Sequence, residues 1–211
     1  MKFFRFNFLD LRLSRKANGF TLTELMVVIG IMTIMNLLIF SSYPEFSQRL
    51  ALKRTSEDIA LIVRQAQAYS LGIKKSGSVD IDYTGFGVHF DKTTKDKQKS
   101  LILFADSSSG NLYKYDEGEL FQEYKINTGD VVFDLQVCKA DGCVVLDTVD
   151  TVNTVDIFYP RSRSMAIISG EGIIDANASY AKVVIRSPKG KMRTIKIWIS
   201  GEISVKEDNV Q

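Results

Sequence analysis

Hydrophobic and polar positions divide the chain into three stretches with different periods. Residues 25–40 read L-M-V-V-I-G-I-M-T-I-M-N-L-L-I-F, and between Phe20 and Pro44 only Glu24 is charged at neutral pH. Helical residues over 20–44 would rise about 37 Å, enough for a hydrocarbon core of about 30 Å, so this stretch predicts one membrane-spanning helix. Residues 45–71 are polar but periodic. Leu52, Ile59, Ile62, Val63, Ala66 and Tyr69 fall near one face, while Lys53, Arg54, Glu57 and Asp58 fall mostly on the other. The pattern predicts one helix over about 20–71, bent at Pro44 and capped at Gly72, whose second half is an amphipathic spine that needs a sheet to cover it. Past Gly72 the period shortens to two. Alternating or β-branched runs occur at 79–83, 86–90, 101–105, 120–126, 131–137, 144–149, 155–159, 165–168, 181–186 and 194–199, many separated by Gly- and Asp-containing turns. Short turns between consecutive strands imply antiparallel pairing. The expected fold is therefore α+β: a long N-terminal helix, half membrane segment and half amphipathic, packed on a mainly antiparallel β head. The expected divisions are 1–19, 20–44, 45–72 and 73–211.

Charge adds direction to this plan. The chain of 211 residues has a formal charge of +2, but residues 1–19 carry Lys2, Arg5, Arg12, Arg15 and Lys16 against Asp10, which leaves the rest at −2. Basic residues preceding an apolar span keep the N-terminus in the cytoplasm and send the following domain across the cytoplasmic membrane. A slightly acidic body argues against a general nucleic-acid coat. One histidine and two cysteines provide too little for a zinc site, and no nucleophile–base pair is evident, so neither enzyme, metal nor cofactor is expected.

The junction of the basic and apolar stretches reads R-K-A-N-G-F-T-L-T-E over 15–24. A secretory signal would place its small-residue cleavage site after the apolar run, where F-S-S-Y-P is a poor candidate. A glycine before the run, an aromatic residue after it and Glu24 four residues on closely resemble the class III signal of type IV pilins and pseudopilins. That resemblance implies cleavage after Gly19 by prepilin peptidase and N-methylation of Phe20. It also implies extraction by an inner-membrane assembly platform into a pilus or pseudopilus of other pilins, in which Glu24 attracts the N-terminal amine of an adjacent subunit. An intramembrane carboxylate is expensive enough, at about 2.5–3.5 kcal/mol when central, to suggest a role independently, with snorkelling to the headgroups as the plainer alternative. Gly30, Thr33 and Asn36 share one face and would admit a close helix neighbour. Within the head, G-F-G-V-H-F at 85–90, L-I-L-F-A-D at 101–106 and the terminal S-P-K-G-K-M-R hairpin look most like FimT/GspH-type minor pilins.

Four features of the head carry candidate chemistry. Cys138 and Cys143 flank a short turn between apolar runs; a hairpin there would bring them together, and an extracytoplasmic location would favour a disulfide. His89 alternates with Val88 and Phe90 and reads as a solvent-facing strand histidine. Asp106 to Asn111, with Asp116 and Glu117 nearby, offers oxygen ligands without a calcium-loop spacing and reads as a polar hairpin. Finally, residues 182–196 hold six basic residues and no acid around a turn at Pro188 and Gly190. Some FimT-like minor pilins capture DNA through a basic G-R-x-R segment, and Gly190-Lys191-Met192-Arg193 is similar, with Lys in place of the first Arg. The expected function is a minor pilin or pseudopilin of a type IV pilus or type II secretion system, in contact with membrane lipid. The alternative is a DNA-uptake minor pilin that uses Lys189, Lys191 and Arg193; a solvated hairpin or a filament contact would explain the same charges.

Overall fold

The apolar and the periodic stretches form one helix, α1 (Leu22–Leu71), in a computed structural model that describes residues 19–72, 83–107, 112–139, 142–143, 152–161, 163, 165–171, 173–174 and 178–208. The chain divides into two compact units, Met1–Pro44 and Glu45–Gln211. Pro44 lies inside α1 and does not end it, although its ring nitrogen cannot donate to the preceding turn. The helix stops at Leu71, and the Gly72 amide closes the final turn by donating to the Ala68 carbonyl at 2.9 Å.

In the first unit, every residue from Gly19 to Phe40 is exposed. An apolar helix exposed on all sides is stable only where something other than water surrounds it, and this one is long and apolar enough to cross a membrane.

In the second unit, the helical periodicity becomes a buried stripe. Leu52, Ile59, Ile62, Val63 and Ala66 are buried, whereas Lys53, Arg54, Glu57 and Asp58 are exposed. Each large aliphatic side chain so removed from water stabilises the fold by about 1.5–3 kcal/mol. The partners are two antiparallel sheets. The first has the order β3-β2-β1-β6-β7-β8, formed by β1 (Tyr83–Asp91), β2 (Ser100–Ser107), β3 (Leu120–Lys125), β6 (Thr154–Pro160), β7 (Ile167–Gly170) and β8 (Ile173–Ile174). The second has the order β11-β10-β9-β4-β5, formed by β4 (Val131–Lys139), β5 (Gly142–Cys143), β9 (Tyr180–Arg186), β10 (Met192–Trp198) and β11 (Ile203–Asp208). Phe86, Val88 and Phe90 of β1 alternate into one core with Leu101 and Leu103 of β2, Val183 and Ile185 of β9, and Ile195 and Ile197 of β10.

Small polar side chains fasten the helix to both sheets. Ser70 donates to the Tyr159 carbonyl at 2.6 Å and accepts from the Phe86 amide at 2.9 Å, bridging β6 and β1. Thr55 and Thr128 both donate to the buried carboxylate of Asp130, at 2.7 and 2.6 Å, which compensates its desolvation. Opposite the main core, Phe104 and Phe158 are fully buried beneath Tyr113 and Tyr115. Gly85 and Gly87 make room for those rings.

The runs at 86–90, 101–105, 120–126, 131–137, 155–159, 181–186 and 194–199 all correspond to strands. The run at 165–168 is displaced: Met165 is an exposed bend, and the strand starts at Ile167. The runs at 79–83 and 144–149 lie outside the described residues, except Tyr83, which opens β1.

Candidate membrane and assembly segment

At the N-terminal junction, Gly19 and Phe20 precede the helix and are exposed, Phe20 at 81%. Thr21 caps α1: its hydroxyl accepts from the Glu24 amide at 3.3 Å, and its carbonyl accepts the Leu25 amide at 3.2 Å. This capping role was legible in the T-x-x-E spacing and complements the acidic residue in the first turn. The Glu24 carboxylate has no hydrogen-bond or ion-pair partner among the described residues, and a positive group arriving from outside the chain would meet an unpaired acid one turn from Phe20. Two polar residues deeper in the span bond back to the helix: Thr33 donates to the Ile29 carbonyl and Asn36 to the Met32 carbonyl, each at 2.8 Å. Each so places a donor within the helix, as an apolar surrounding favours.

In the head, Cys138 and Cys143 face each other in the β4–β5 register and are joined by a disulfide, with Cα atoms 3.8 Å apart. The bond closes a loop of sequence separation 5. Loop-closure entropy assigns it about 2 kcal/mol. Reduction, or the Cys138→Ser/Cys143→Ser pair, should lower the unfolding free energy by about that amount in denaturant titrations; an unchanged midpoint would show that β4 and β5 are held without it.

The basic hairpin does not present all of its cations together. Ser187 and Lys191 close a tight turn in which Gly190 takes a left-handed φ of +84° and donates to the Ser187 carbonyl at 2.9 Å. Lys189 is exposed at its tip. Lys191 reaches back to the helix, where its ammonium donates to Glu45 Oε1 at 2.5 Å, and Arg49 donates to the same oxygen at 2.9 Å. Hydrogen bonds from Lys191 and then Arg49, reinforced by their charges, pull the Glu45 carboxyl down to about 2. Arg193 follows the strand alternation of the buried Ile195 and Ile197, so it is half-buried on the core side of β10. Two other cations of the segment lean on aromatic rings: Lys196 on Tyr180, and Arg186 with its guanidinium carbon 3.9 Å from the Phe133 centroid. Glu45 was missed from sequence because it lies 146 residues from Lys191; its i,i+4 spacing to Arg49 was the only signal it gave.

Two readings of the head need correction. His89 is not solvent-facing. Its side chain is 13% exposed, Nδ1 lies 2.5 Å from Asp156 Oδ1, and the Tyr115 ring covers it at 4.9 Å. The segment carrying Tyr113 and Tyr115 lies over that face of β1. Asp106 is likewise not a loop residue. It is fully buried in β2 and accepts from the Thr84 hydroxyl at 2.7 Å and the Tyr113 amide at 2.9 Å. Positions 108–111 of the suggested calcium loop lie outside the described residues.

No curated protein and no solved structure matches the chain. Residues 14–39 match the family described as the prokaryotic N-terminal methylation motif, spanning the basic end of the leader, Gly19, Phe20, Glu24 and most of the apolar run. This motif indicates a type IV pilin-like precursor; the apolar helix after it fits membrane anchoring, and the α+β layout is consistent with a pilin fold.

Proposed function

We propose that the chain is a minor pilin or pseudopilin, a non-enzymatic structural subunit of a type IV pilus or type II secretion pseudopilus. The observation that carries this reading is the methylation motif running directly into a helix whose apolar side chains are exposed from Leu22 to Phe40. The basic leader holds the N-terminus in the cytoplasm, residues 20–44 cross the cytoplasmic membrane, and the head stands outside it. Prepilin peptidase cuts after Gly19 and methylates Phe20; the assembly platform then draws the helix into a core of other pilin helices. There the unpaired Glu24 carboxylate meets the Phe20 amine of a neighbour. In a medium that cannot solvate either charge, the pairing sets axial register because both groups are costly when alone.

The experiment is incorporation of Glu24→Ala. The variant should insert in the membrane and be cleaved normally, since it removes an intramembrane acid, yet its share of sheared filaments should fall at least about tenfold if one desolvated charge pair of about 1.4 kcal/mol or more is lost. Incorporation equal to wild type would make Glu24 a bystander. A DNA-capturing reading gains little support from the terminal turn: Lys191 is bonded to Glu45, Arg193 is half-buried, and Lys189 alone of the three is exposed.

A further inference from the structure

A cavity of about 410 Å³ opens between the first turns of the helix past Pro44 and the β10–β11 edge of the second sheet. Its walls combine four cations, Arg49, Lys53, Lys191 and Arg193, with the apolar Phe46 and Leu50; Glu207 is the acid that lines it. Three of the cations are occupied in part. Arg49 and Lys191 share Glu45, and Lys53 makes a longer contact of 3.8 Å to Glu57. Arg193 differs, because its Nε is buried and has no hydrogen-bond partner. A guanidinium with an unmet donor favours an oxyanion as its partner. The apolar wall restricts the class of oxyanion. Phe46 is 65% exposed and Leu50 38%, so large hydrophobic surfaces stand open beside the cations. Inorganic phosphate has nothing to place against them, and a duplex DNA backbone would leave them in water. An amphiphile satisfies both.

Phe46 follows Pro44 by two residues and Leu50 by six, so chain continuity sets this wall at the end of the membrane-spanning stretch. We infer that the cavity holds the headgroup of an anionic phospholipid, with its phosphate against Arg193 and its glycerol and first methylenes against Phe46 and Leu50. Glu45 serves as a positioning residue that holds Arg49 and Lys191 beside the cavity. The inference rests on the reading of residues 20–44 as a membrane span, and the test separates the two.

The full chain, purified in mild detergent, is offered equal amounts of phosphatidylglycerol and phosphatidylcholine, and retained lipid is counted by native mass spectrometry. Phosphatidylglycerol should be retained about fivefold over phosphatidylcholine, the ratio given by about 1 kcal/mol per favourably placed cation. Arg193→Ala should bring the ratio to about one, Arg193→Lys should restore part of it by keeping the charge, and Lys189→Ala, at the turn tip, should leave it unchanged. A circular-dichroism melt matching wild type shows that the Arg193 variants are folded. Equal retention of the two lipids by wild type, or a preference that survives Arg193→Ala, would overturn the proposal. Displacement of phosphatidylglycerol by inorganic phosphate would assign the cavity to a free anion, and displacement by short duplex DNA would assign it to nucleic acid; either overturns the lipid assignment. Flotation with phosphatidylcholine vesicles reads the span separately: a chain that floats but shows no headgroup preference loses only this site, and a chain that does not float loses both.

Discussion

Produced together with a prepilin peptidase, the chain is expected to appear in intact-mass spectra without residues 1–19 and with one methyl group added at Phe20. The structure favours this bond over any bond within α1. Gly19 and Phe20 stand ahead of the helix and are exposed, so the scissile peptide can enter a protease cleft without unwinding a hydrogen-bonded turn, whereas every peptide from Leu22 to Leu71 lies inside α1. Thr21 contributes by fixing where the helix begins. Gly19→Ala gives a clean control, since an added Cβ at this position meets nothing within 4 Å. The substitution leaves the protein itself undisturbed, so its expected effect, abolished or greatly slowed cleavage, reports the fit of the bond to the peptidase. A mature N-terminus near Tyr43 would mean an ordinary secretory signal and would remove the basis of the pilin reading.

Gly85→Ala should produce the largest loss of stability among single-methyl additions to the first sheet. A Cβ at Gly85 would lie 2.2 Å from the Tyr159 carbonyl oxygen and 2.6 Å from the Phe158 ring. The carbonyl belongs to the β6 backbone and cannot rotate away, so β1 and β6 would have to separate where Gly85 pairs with Pro160. Overpacking of this kind costs about 3 kcal/mol or more, corresponding to a fall in melting temperature of about 10 °C for a chain of this size. Gly87→Ala should cost less: its Cβ meets the Phe104 ring at 2.4 Å, and a side chain can turn where a backbone cannot. Thermal melts followed by circular dichroism would check both; equal melting temperatures for Gly85→Ala and wild type would contradict the close approach.

These cases show which parts of the fold could be read from sequence. The buried stripe from Leu52 to Ala66 was legible because a helix repeats its face every three to four residues, and a local pattern suffices to find it. The strand β11 was not. It alternates Ile203 and Val205 toward the core but ends in Lys206, Glu207 and Asp208, and a half-charged edge strand resembles a loop in composition. Nor was the burial of His89, because alternation places a side chain on a face without saying what covers it; Asp156 lies 67 residues away, and the covering Tyr115 belongs to a segment with no periodicity. The N-terminal junction was legible for a different reason. The matched motif is a short linear signal, so its residues remain adjacent, whereas the cavity beside Phe46 draws Arg49 from α1 and Arg193 from β10.

The outer rims of the two sheets bear on how such subunits can coexist at high density in a bilayer. Among the described residues, each sheet has one edge formed by a charged strand, β3 with Glu123 and Lys125 or β11 with Lys206, Glu207 and Asp208. Charges along an edge strand disfavour its pairing with another sheet. Heads that meet along these two edges therefore do not zip into a continuous ladder. On the assembly proposed above, ordered growth then falls to the helices.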